Sequence, residues 1–599
     1  MSDFWERLKQ RKLVQWALAY VAGAFALLQG ADIVAQQFAW PEGVRRAITL
    51  ALILGFFVTL VLAWYHGERG AQKISGVELL MLALLLAVGG GLMWRFVGVS
   101  PNRISADANP PAVPAASAMP VADAKSIAVL PLVNASGDDK QQFFSDGISE
   151  SLIIALSQVP GLTVIGRNSS FQFRDGKADS RSIGEKLGVA RLLGGSVQHV
   201  GDLVRISVEL VDAPTGRALW SQRYDRQYAD LFKLQDDITA AVAGVLKSKL
   251  LGDTETAQSD RPPSGNIEAY NALLEGNFQA AKLNAEGFRD AIPLLDRAIA
   301  LDPDYALAYA RRATARIGLI NVSGAIGARR IEAARPARAD VEHALALDPG
   351  LADAHSASGW LASVIDADRP AAEAAYRRAL ALQPDLSNAL NGLSDQLWMA
   401  GRYPEAIDVI RKALRADPLS ASSYARLAGL LMQAGQWDAA EAASRKVLEI
   451  RPDAWFGHND AARLAILRGD AETAAREAGA IAPGRVRDAM TALAGQIAPD
   501  RAVADAALNA FIEKHGTDDR SSVAEMFALR GEPDRMFDWL QRALTAGDPG
   551  AKELWASPFM TRYRDDPRFA AYCSEAGIAT PAEADAANAA YLAKRKQQP

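Results

Sequence analysis

The chain has 599 residues, 50% of them hydrophobic, and a formal charge of −5. That length accommodates several domains, and the near balance of charge excludes a polyanion-binding surface spread over the whole protein. The single cysteine, Cys573, excludes an internal disulfide framework and any cysteine-rich zinc site.

Residues 1–13 are read as a basic cytoplasmic N-terminus and residues 14–98 as three transmembrane helices. Apolar stretches at 14–35, 47–65 and 77–97 each approach the ~20 residues that cross ~30 Å of hydrocarbon. A cleaved secretory signal would have one short apolar core, whereas two further stretches follow the first. Arg7, Lys9, Arg11 and Lys12 precede the first stretch, and Arg69 and Lys73 separate the second from the third. The positive-inside rule puts those flanks in the cytoplasm, with Arg45, Arg46 and Arg95 pulling the other way. An odd number of spans places everything after Val97 in the periplasm, tethered to a bacterial inner membrane. Asp32, beside Gln29 and Gln36, marks a wet interface rather than a site.

Residues 99–124 form a Pro- and Ala-rich linker, PNRISADANPPAVPAASAMPVADA over 101–124, suited to an extended spacer. Apolar order resumes at Ser126 and defines a small α+β domain over 125–250. The expected elements are a strand at 126–132 (SIAVLPL), a helix at 147–158, a strand at 162–165 and a short helix from Ser180. An antiparallel meander follows, RLLGGSVQHV, LVRISVELVD and ALWSQRYD, with turns at Gly201–Asp202 and Pro214–Thr215–Gly216. In its middle strand Val204, Ile206, Val208 and Leu210 alternate with Arg205, Ser207 and Glu209, so one face is dry. A helix over 231–250 closes the domain. Ser145 or Asp146 is expected to cap the first helix, with Gly147, Ser149 and Glu150 in its first turn; Arg167, Asn168, Ser169 and Ser170 read as a polar turn.

SIAVLPLVNASGDDKQQFFSDGISESLIIALSQVPGLTVIGRNSSFQF, the later LLGGSVQHVGDLVRISVELVDAPTGRALWSQRYDR, and LQDDI together resemble the TolB-type amino-terminal domain, related to FlgO-like domains. The resemblance implies a noncatalytic interaction domain of bacterial envelope or signalling proteins. The leader, with FWERLKQRKLVQWALAY and LVLAWYH, is similar to that of bacterial proteins carrying this domain ahead of tetratricopeptide repeats. Some relatives have a DNA-binding or nucleotide-cyclase module in its place, and the residues before the first span are too few for either.

After a linker at 251–265, residues 266–483 repeat. Five segments end alike, at Pro303, Pro349, Pro384, Pro418 and Pro452, with spacings of 46, 35, 34 and 34 residues. A step of 34 is the tetratricopeptide period, and the first gap carries an insertion near 318–338. Leu390, Leu393 and Leu397 line one helix, Gly401 and Tyr403 make a turn, and Ala406, Ile410 and Ala413 line the next; Tyr424, Leu427, Leu431, Gly435, Trp437, Ala440 and Val447 repeat that register. Ala474 and Pro483 suggest one worn repeat. Residues 484–599 are read as a C-terminal helical cap, resembling the end-of-group cap of tetratricopeptide proteins. The fold class is thus three transmembrane helices, a small α+β domain and an all-α tetratricopeptide solenoid.

No phosphate loop, dinucleotide fingerprint, HExxH, GxSxG or paired CxxC occurs, and the six histidines are scattered. No catalytic, cofactor or metal residue is expected, nor a nucleic-acid or small-molecule partner. The reading is a noncatalytic scaffold that binds proteins or peptides, with a transmembrane signalling component acting on a cytoplasmic effector as the alternative. The partner surface is expected on the first helix of each repeat: Asn388, Asn391, Asp395, Trp398 and Met399, then Ser422, Met432 and Gln433, then Asn459 and Arg463. Trp398 and Met399 are unusual for a solvated face, and amides beside an aromatic suit an extended peptide.

Overall fold

The apolar run expected as the first strand forms β1 (Asp123–Val129), which sends Ile127 and Val129 to one side and Ala128 to the other, all buried. Burial on both faces is what a central strand requires. The computed structural model describes residues 123–597 except 158, 160, 251–259 and 324–326. The sheet runs β3 (Thr163–Val164), β1, β4 (Val189–Val200), β5 (Leu203–Asp212), β6 (Arg217–Gln227), with β2 (Val133–Asn134) beside β4. β1 is parallel to β3 and β4, while β4, β5 and β6 form the expected antiparallel meander. Helices α1 (Gln142–Ser157) and α4 (Leu231–Leu250) cover the dry face of Val204, Ile206, Val208 and Leu210. The one-turn α2 (Arg167–Ser170) follows β3, and α3 (Ser180–Leu187) packs on the opposite face against Ala128 and Leu192.

Two expectations are corrected here. The domain is α/β, because α1 and α3 each connect parallel strands around β1. The three-helix membrane part of the fold class is not found: among the described residues no helix is long and apolar enough to cross a membrane. The longest, over 327–347, carries Arg329, Arg330, Glu332, Arg335, Arg338 and Asp340. The segments at 14–98 lie outside the described residues.

The solenoid consists, among the described residues, of eight helix pairs. They are α5 (Ile267–Ala280) with α6 (Ala285–Leu301), α7 (Ala306–Ser323) with α8 (Gly327–Leu347), and α9 (Ala352–Val364) with α10 (Arg369–Leu382). Next come α11 (Ser387–Met399) with α12 (Tyr403–Ala416), α13 (Ala421–Gln433) with α14 (Trp437–Ile450), and α15 (Trp455–Arg468) with α16 (Ala471–Ala480). The last are α17 (Arg485–Gly495) with α18 (Arg501–His515) and α19 (Arg520–Leu529) with α20 (Pro533–Ala546). The insertion lengthens α7 and α8 to 18 and 21 residues, against 13 and 14 in α11 and α12. Small Ala406, Ala413 and Ala440 are fully buried beside Leu390, Leu393 and Leu397, so each pair closes at short range. First helices also touch the first helix of the next pair, which makes them the inner layer.

The region read as a cap begins with the last two pairs, where the period fades. Beyond α20 the chain makes short 3-10 turns at Pro549–Lys552, Leu554–Ala556 and Thr561–Tyr563, and runs back along α11 and α13. Helix α21 (Pro567–Ala576) packs on α20, and α22 (Pro581–Lys596) reaches α12.

Candidate functional site

The α/β domain and the solenoid meet through polar residues that the sequence reading had assigned to capping and turns. Helix α1 starts at Gln142, one turn earlier than expected, because Phe143 and Phe144 extend its apolar side. Asp146 therefore lies inside the helix, where its carboxylate accepts both guanidinium bonds of Arg174, at 2.8 and 2.6 Å. Ser149 Oγ accepts the Leu132 N–H at 2.9 Å, and Glu150 lies 3.3 Å from Arg167 and 3.9 Å from Arg311 of α7. Arg311 also pairs with Asp353 of α9 at 3.7 Å. Gly147 lets α1 lie against α5, since a Cβ there would collide with Leu274.

A second contact joins α2 to the turn between α12 and α13. Ser169 Oγ donates to the Asp417 carboxylate and accepts the Leu419 N–H at 2.8 Å, and Gly166 N–H donates to Ala416 O at 2.7 Å. Asp417 is 2% exposed, and burial pushes its carboxyl above the usual range. The linker ends in a third: Asp260 accepts from Ser151 Oγ at 2.6 Å and Tyr270 OH at 3.3 Å, with burial again raising its carboxyl.

The inner layer of the solenoid is polar and largely paired. Asp395 of α11 receives Arg426 of α13 at 2.8 and 3.1 Å, and Arg463 of α15 meets Glu525 of α19 at 3.0 Å through both guanidinium nitrogens. Arg463 also lies over the Phe559 ring, 5.4 Å from its centroid. The returning tail is held through two main-chain carbonyls and a hydroxyl: Arg369 donates to Lys552 O at 2.9 Å, Tyr403 OH to Trp555 O at 2.8 Å, and Thr561 Oγ1 to Gln433 Oε1 at 3.0 Å. Leu554, Trp555 and Phe559 of that tail are buried in the core with α15, α17 and α19.

The expected partner residues are distributed as follows. Asn388 and Ser422 are exposed, and Asn391 is half-buried, accepting Ser423 Oγ at 2.9 Å. Asp395 and Arg463 sit in the ion pairs above, and Gln433 binds the tail. Trp398 and Met399 are partly buried, with the Trp398 ring against Gly429 of α13, where a side chain would collide with it. Met432, 5% exposed, belongs to the core between helices. Asn459 is half-buried on α15. Missed were Arg426, Asp460, Glu525 and Glu553. The 34-residue step from Arg426 to Asp460 could have found two of them; Glu525 and Glu553 lie where the period had faded.

Residues 397–457 match the tetratricopeptide repeat family. A curated relative, putative adenylate cyclase 3 of Rhizobium meliloti (strain 1021), is 40% identical over 187 residues. That stretch is 31% of this chain and 31% of the relative, so the match spans about a third of the relative's length. Among solved structures, Pseudomonas aeruginosa PilF is 19% identical, covering 35% of this chain and 92% of its own, with a TM-score of 0.29. PilW, described as a type IV pilus biogenesis factor, is 19% identical over 35% of this chain and 90% of its own, TM-score 0.29. The human IFIT1 dimer with m7Gppp-AAAA is 14% identical over 53% and 80%, TM-score 0.33.

Proposed function

We propose that the chain is a noncatalytic protein-interaction scaffold, in which the inner layer of tetratricopeptide first helices holds a protein or peptide partner. The observation that carries this is the tail: side chains of Arg369 on α10, Tyr403 on α12 and Gln433 on α13 already bind a stretch of polypeptide that runs along α11 and α13. Main-chain carbonyls and a hydroxyl are taken up by fixed side chains, which is chemistry that any peptide can supply. The exposed Asn388 and Ser422 continue that layer beyond the tail. On this reading the TolB-like domain, braced by Asp417 and Arg311, is a second interaction surface, and the compartment is the periplasm.

Arginine at Asn388 and Ser422 would block the open part of the layer without touching a core residue. The double variant Asn388→Arg/Ser422→Arg is expected to lose partner recovery in co-purification while keeping its melting temperature. Equal recovery would move the partner contact to the TolB-like domain. A reporter fused after Pro120 that is active only in the cytoplasm would remove the periplasmic placement.

The second reading, a signalling component coupled to a separate effector, is favoured by one observation, the 187-residue likeness to a protein named as a putative adenylate cyclase. Co-purification of a cyclase or kinase with the full chain would support it over a static scaffold.

A further inference from the structure

We propose that the outer edge of β6 joins the same edge of a second copy of this chain, antiparallel, so that two α/β domains share one continuous sheet. The proposal names a partner for the α/β domain and does not depend on what the solenoid holds.

The edge follows from the hydrogen-bond register of β5 and β6. Tyr228 N–H donates to Asp202 O at 2.7 Å, and the pairs Val204 with Arg226, Ile206 with Tyr224 and Val208 with Gln222 continue that register. In an antiparallel ladder alternate residues bond to the same neighbour, so the even-numbered residues of β6 face β5. Ser221, Arg223, Asp225 and Gln227 therefore turn their N–H and C=O groups away from the sheet. β6 is its last strand, and among the described residues no backbone group bonds to these outward ones. The Asp225 carbonyl is touched by the neighbouring Arg226 guanidinium, at 3.1 Å. The irregularity in the ladder lies between Ala218 and Trp220, so 221–227 is a regular strand, and all of its residues but Tyr224 are exposed. A regular, open edge is a template for another strand.

Charge selects the strand that fits. An edge is kept free by charges that repel a second strand, but β6 carries Arg223 and Asp225 two positions apart on the open face of the sheet, with Arg205 of β5 2.5 Å from Asp225. Across a two-fold axis at Tyr224, Arg223 stands opposite the second copy's Asp225, and Asp225 opposite its Arg223, each pair exchanging main-chain bonds in both directions. Ser221 meets the second copy's Gln227 in the same way. Gln222 comes opposite the second copy's Arg226, which leaves the Asp225 carbonyl for the amide oxygen of that glutamine. A shift of two residues either way sets Arg223 against Arg223 or Asp225 against Asp225, and like charges directly opposite are destabilising. The strand is thus complementary to itself in the register centred on Tyr224. The segment 221–227 from each copy makes a small interface, so the dimer forms at micromolar concentrations rather than permanently.

Sedimentation equilibrium of the purified full chain over a concentration series, in density-matched mild detergent, tests the pairing. The expected result is a rise from the mass of one chain toward twice that mass. Arg223→Asp and Asp225→Arg each set like charges opposite one another, and each should weaken association at least tenfold with the circular dichroism spectrum unchanged. An equimolar mixture of the two variants, and the double variant Arg223→Asp/Asp225→Arg alone, put opposite charges face to face again and should recover it. Mixing does not repair a folding defect. A monomer at every concentration, association that both single variants leave intact, or a loss that neither the mixture nor the double variant restores overturns the proposal. Any of these leaves partner capture through Asn388 and Ser422 standing, whereas loss of capture with the charge-swap pattern intact removes only the scaffold reading.

Discussion

Asp460 and Arg463 show how much of the chain's behaviour is set by single buried charges. The carboxyl of Asp460 is raised to about 7 by burial. Between the ordinary carboxylate value of ~4 and 7, the folded chain therefore holds a proton that the unfolded chain has lost. Stability contributed by this group falls as pH rises across that window and is level above it. Asp460→Asn should flatten the fall and raise stability at pH 8, by at most on the order of 4 kcal/mol. Chemical denaturation of both proteins at pH 5 and pH 8 measures this, and parallel pH profiles would refute it. Arg463 has the opposite role. Its removal leaves Glu525, 8% exposed at its side chain, without its cation. Arg463→Ala should cost about 3–5 kcal/mol, read as a lower midpoint in urea. From the sequence alone Arg463 looked like a free groove residue, because its partner lies 62 positions away in a region without visible period.

Helices and turns were legible wherever a local rule governs them. The 34-residue step placed Ala413 and Ala440 in the helix-pair core, and both are fully buried. Ala413→Trp or Ala440→Trp should therefore overpack the pair and cost ~1–3 kcal/mol or more, seen as a lowered melting temperature. The meander was equally readable from its alternation, and α3 from the spacing of Ile183 and Leu187 after Ser180, although its cap, Asp179, was not. What could not be read were the ends and partners of elements. Helix α1 starts before its apparent cap because Phe143 and Phe144 pack inward. The parallel placement of β1 between β3 and β4 depends on pairing across the chain, on which a strand's own residues are silent. Gly147 gives an element-scale test: Gly147→Leu should push α1 off α5 through Leu274 and speed hydrogen exchange in both helices, leaving α17 to α20 unaffected.

At the scale of the whole described molecule, three polar contacts brace the α/β domain against the solenoid, at Asp260, Arg311 and Asp417, and the tail lines part of the inner layer. None of these could be inferred from a repeat pattern, since each joins residues in different domains or beyond the last clear repeat. They leave Asn388 and Ser422 as open positions on the layer where the account places the partner. The most direct test is site-specific photo-crosslinking in the native host, with a photoreactive residue at 388, at 422, or at the exposed Glu449 on the outer helix α14. Capture of the same partner protein from positions 388 and 422, and none from position 449, is the expected result. Capture from 449 alone would contradict it.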